Sequence, residues 1–93
     1  MPRGESLPPG VEMEIAHEIF RRGRVEEAGE AYLRFLADHP GAPDAAEAKF
    51  RLGLIHLRAT GDRSKAREWL RQAAAEHTDP ETAAFARKEL AKL

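Results

Sequence analysis

A loop-and-helix pattern occurs twice in this 93-residue chain, 38 residues apart. Gly23, Ala28, Glu30, Ala37 and His39 recur as Gly61, Ala66, Glu68, Ala75 and His77, and the aromatic Tyr32 falls on the large apolar Leu70. A fixed period of this length marks stacked supersecondary units, each unable to bury its apolar face alone. Stacked units present surfaces, so the period already points to binding rather than chemistry.

The apolar spacing says what each unit contains. Val11, Ile15 and Ile19 recur at i, i+4, i+8 and predict a first helix from about Pro9 to Arg22, stopped by Gly23. Val25, Ala28, Tyr32, Phe35 and Leu36 predict the buried face of a second helix, Val25 to Asp38. Pro40-Gly41-Ala42-Pro43 is a break, and Pro43 suits the first position of a third helix, where its missing N–H costs nothing. That helix, Pro43 to Ala59, carries two apolar stripes, one of Ala48, Leu52, Ile55 and Ala59, the other of Phe50, Leu54 and Leu57. A helix apolar on two sides lies centrally or binds something. Asp62 is a candidate N-cap for a fourth helix, Arg63 to His77, with Ala66, Leu70 and Ala73 buried and Trp69 partly covered by a fifth helix. Asp79-Pro80-Glu81 combines a cap, a first-turn proline and a first-turn acid to start the fifth helix, which runs to about Ala91. No segment alternates with period two, so no strand is expected.

Within each unit, small residues fall where two helices would cross, Ala16 with Ala28 and Gly53 with Ala66. The distance between helix axes follows the size of the contact residues, so these positions predict close antiparallel pairs.

These residues resemble the tetratricopeptide repeat. Ile15-Ala16, Ile19, Gly23, Ala28, Tyr32 and Pro40 match its spacing in the first unit. Leu52-Gly53, His56, Gly61, Ala66, Leu70, Ala73 and Pro80 match in the second, with one extra residue before Gly61 and one more before Pro80. Phe85-Ala86 begins a third half-unit, in which Glu89 replaces the next aromatic. The family's large first-helix residue is replaced by Glu12 and Lys49. The junction Asp38-His39-Pro40-Gly41-Ala42-Pro43, followed by Ala45, Ala48 and Leu52, is similar to the subfamily that includes the Tol–Pal accessory protein and the outer-membrane assembly lipoprotein of bacteria.

The resemblance implies an all-α fold of antiparallel helix-turn-helix repeats in a short right-handed superhelix. The expected division is a flexible segment 1–8 and one domain 9–93, made of units 9–42 and 43–80 and a capping helix 80–92. It also implies a non-enzymatic adaptor that holds a partner segment on a concave face lined by the first helix of each pair. The corresponding residues are Met13, His17 and Phe20, then Phe50, Leu54 and Leu57, with Arg51, Arg58, Lys88 and Lys92 as basic edges. Such a trough suits a protein or peptide with apolar anchors and acidic flanks. The alternative is a homo-oligomeric scaffold that uses the same apolar face.

Other functions are disfavoured by what the chain holds. It has no cysteine, hence no disulfide, thiolate or Cys-based zinc chemistry. No asparagine is present to grip a C-terminal carboxylate as some members of the family do. Glu14-x-x-His17 has di-iron spacing but no second such pair, so no metal or cofactor is expected. His39 and His77 lie near helix ends, where a cation suits the dipole, and a structural use is expected of both. Arg21-Arg22-Arg24 has acidic neighbours at Glu26 and Glu27 and reads as solvated.

Net charge is −1, which argues against nucleic acid as a partner, and no apolar run approaches the ~20 residues of a membrane span. The charge is uneven: residues 1–47 hold 5 basic and 10 acidic side chains, residues 48–93 hold 10 and 6, an asymmetry that can steer association. The start lacks the apolar core of a signal peptide, so a cytoplasmic location is expected, or periplasmic if a leader has been removed.

Overall fold

Helix boundaries follow the local stop and start chemistry almost throughout. The computed structural model describes residues 7–93, so most of the expected flexible segment lies outside the described residues. Five α-helices follow in order: α1 Pro9–Arg21, α2 Val25–Asp38, α3 Ala45–Ile55, α4 Arg63–Glu76 and α5 Pro80–Ala91. No strand occurs among the described residues. Gly23 and Gly61 close α1 and the α3 segment with φ of +80° and +74°, a left-handed conformation that a Cβ would strain. The Asp62 carboxylate accepts from the Lys65 N–H at 3.1 Å, and Asp79 accepts from Thr82 N–H and Oγ1 at 3.3 and 2.7 Å. Each cap satisfies an otherwise orphaned helix donor.

Each helix packs on the next in the chain, and α3 lies between α2 and α4. The first core joins Met13 and Ala16 of α1, Ala28, Tyr32 and Phe35 of α2, and Ala48, Leu52 and Ile55 of α3. Tyr32, Phe35, Leu52 and Leu70 are the largest fully buried side chains. Burying each stabilises the fold by roughly 1.5–3 kcal/mol. At the α3–α4 crossing, a Cβ on Gly53 would lie 2.6 Å from Leu70 Cδ2 and 3.3 Å from its backbone N, so only glycine lets these axes come this close.

Three local expectations need correction. Pro43 sits in a turn, and α3 starts two residues later at Ala45, because Ala42 accepts from the Ala45 N–H and closes a tighter turn first. The third helix does not run as one α-helix to Ala59: His56–Thr60 form a π-helical turn and Ala59 is exposed. Val11 and Ile15 are both 44% exposed, and α1 buries Glu12, Met13 and Ala16 instead. Trp69 is partly buried, as expected, and packs onto the core of α1–α3.

The π turn has a sequence origin. The second unit holds one residue more than the first between its crossing position and its glycine, Gly53 to Gly61 against Ala16 to Gly23. A π turn takes up one additional residue without breaking the helix. Thr60 ties it: its hydroxyl donates to the His56 carbonyl (3.3 Å) and accepts from His56 Nδ1 (2.9 Å) and the Asp62 N–H (3.2 Å).

Candidate binding face

The odd-numbered helices share one side of the molecule, and their side chains link across it. The Arg51 guanidinium of α3 lies 5.5 Å above the Phe20 ring of α1, a cation–π contact. Phe50 of α3 meets Phe85 of α5 edge to face, with centroids 5.9 Å apart. Between these contacts Glu47 accepts from Arg51 Nε at 2.8 Å and from His77 Nε2 at 2.7 Å, and the His77 ring also meets Phe50 at 6.3 Å. A continuous strip of aromatic and charged groups therefore runs from α1 to α5.

At its α1 end the strip opens into a cleft of about 270 Å³ lined by His17, Phe20, Arg21 and Arg51. Behind it the fully buried Tyr32 donates its phenol O–H to His17 Nδ1 at 2.6 Å, and the Tyr32 and Phe20 rings meet edge to face at 6.3 Å. Burial raises the Tyr32 hydroxyl to about 12, so it remains a donor. Burial, and then the positive charge of Arg51, hold His17 below its ordinary value and keep the ring neutral as an acceptor. His17 is thus oriented by Tyr32, and its Nδ1 is not available to Glu14.

The expected groove residues divide. His17, Phe20, Phe50 and Arg51 lie on the strip, each part-exposed. Met13 and Leu54 are 4% and 7% exposed and belong to the interior rather than to a contact surface. They fall on the apolar side of helices that cover more than one neighbour, so periodicity alone did not separate lining from core. Leu57 is half-buried and Arg58 exposed on the π turn, while Lys88 is exposed on α5 and Lys92 just after it; none of these four lines the cleft. Arg21 lines it, although its short basic run reads as solvated; it also pairs with Glu18 at 2.6 Å.

Two polar ties were not legible as such. Nε2–H of His39 donates both to the Leu7 carbonyl (3.0 Å) and to the buried Glu12 (3.1 Å). Lys49 donates to Glu76 at 2.7 Å. Glu12 and Lys49 stand where the repeat pattern has its large first-helix residue, and each reaches the C-terminal end of the second helix in its own unit. His77 accepts the Asp79 N–H on Nδ1 while Nε2–H donates to Glu47. His77 thus serves as a hydrogen-bonded bridge between α3 and the start of α5, through both ring nitrogens.

No family model, curated protein or solved structure matches the chain. No helix among the described residues is long and apolar enough to cross a membrane.

Proposed function

We propose that this chain is a tetratricopeptide-like, non-enzymatic interaction module that holds a partner segment along the side formed by α1, α3 and α5. The observation that carries the reading is the cleft of His17, Phe20, Arg21 and Arg51 and its continuation through Phe50 to Phe85. An aromatic wall with cations at its rim takes an apolar anchor and orients acidic flanks. Arg51 is already paired with Glu47 and Arg21 with Glu18. The charges therefore direct orientation and encounter, and most of the affinity comes from apolar contact with Phe20 and Phe50.

Selection of a displayed peptide library on the intact protein tests this. Enriched peptides should carry an aromatic or aliphatic anchor next to Asp or Glu. Phe20→Ala and Arg51→Glu should each weaken such a peptide by about tenfold or more, at unchanged far-UV circular dichroism. Undiminished binding by both variants would place the site elsewhere. Self-association through the same strip would instead appear as competition between the selected peptide and the protein's own oligomer.

A further inference from the structure

We propose that copies of this chain associate head to tail, with the outer face of α1 on one copy seated against the outer face of α5 on the next. This surface differs from the α1–α3–α5 strip and does not depend on it.

The α1 face has the form of an unused docking seam. Val11 and Ile15 lie one turn apart, both 44% exposed. Thirty-seven residues on, the same positions are Ala48 and Leu52 of α3, 0% and 1% exposed in the core with α2. The register that seats α3 on the helix before it therefore has nothing among the described residues seated on it in α1.

The occupant is argued from pattern and charge. Val11, Glu14, Ile15 and Glu18 fall at i, i+3, i+4 and i+7 and share one side of α1. Ala84, Arg87, Lys88 and Ala91 fall at the same spacing on α5, and all four are exposed. On α1 the apolar Val11 and Ile15 alternate with two acids, of which Glu18 already pairs with Arg21 and Arg22 while Glu14 has no ion-pair partner among the described residues; α5 offers two small seats around two cations. Alanines let helix axes approach closely enough for Val11 and Ile15 to reach them. A symmetric α1–α1 contact would instead set Val11 and Ile15 against equally large side chains, with no alanine seat to receive them. The uneven charge of the two halves of the chain favours the same head-to-tail orientation.

The contact is small. Two helices of 13 and 12 residues bury far less than the ~1,600 Å² of a standard stable interface. Association is therefore weak, salt-sensitive and open-ended, because unlike faces pair.

Sedimentation equilibrium of the full chain tests this at about 0.05–1 mM protein, a range suited to a weak contact. In 50 mM NaCl the average mass should rise with concentration past that of a dimer; in 500 mM NaCl it should fall to a monomer, through screening over about a Debye length. Glu14→Arg and Arg87→Glu should each be monomeric alone, and an equimolar mixture of the two should regain association. A monomer throughout at low salt would overturn the proposal. So would a dimer that is indifferent to Arg87→Glu, or a mixture no more associated than its components.

Discussion

Single residues set the closest approaches in this protein. Gly53 is in contact with Leu70, and an added methyl would need Leu70 Cγ and Cδ2 to move. Gly53→Ala should destabilise the fold by about 1–3 kcal/mol in urea denaturation. Paired with Leu70→Ala, which alone should cost about 2–5 kcal/mol, the glycine substitution should become nearly neutral. A double-mutant cycle that shows plain additivity would refute the contact. His17 gives a pH effect. Its folded value lies below the ordinary 6.5, so the unfolded chain takes up this proton first as pH falls. The resulting stability is complete above that ordinary value and is lost progressively as pH falls from it through the lowered folded value. Urea midpoints should therefore decline from pH 7 to pH 5, and His17→Gln should make the decline shallower whatever its effect at pH 7.

The elements show how two copies of one pattern diverge. The closing glycines, the Asp62 and Asp79 caps and the small crossing residues were legible because each acts through its own turn of backbone. The start of α3 was not, because the competing Ala42–Ala45 turn wins over a proline that would also fit. The extra residue before Gly61 was visible, but the π turn that takes it up was not. Deleting Ala59, exposed within that turn, should give the second unit the spacing of the first. The shortened chain should stay helical and unfold cooperatively, with a melting temperature at or above that of the parent. Loss of a cooperative transition would show that the π turn is required. The buried Glu12 was likewise hidden: an acid in a pattern's large apolar position reads as a defect until His39 is seen beside it.

At the scale of the molecule, the stacking of helices distributes stability. The structure extends 47 × 25 × 20 Å, and α3 packs on both sides while α1 and α5 each pack mainly on one. Amide hydrogen exchange should therefore be slowest in α3 and fastest in α5 and the first turn of α1. Equal protection across all five helices would argue for one indivisible unit. Part of the candidate face could be read from the chain: the resemblance to the repeat pattern pointed to His17, Phe20, Phe50 and Arg51, and they meet on one side. Met13 and Leu54 share that spacing yet are interior, and Arg21 lines the cleft from a run that looks solvated. The all-α architecture, the helix ends and the pairwise crossings follow from the sequence itself, because 3.6-residue periodicity and capping act over a few residues. Which apolar side chains became core and which became surface was decided by the tertiary structure, because burial depends on what lies across from a helix, and a helix cannot encode its neighbour's position in its own period.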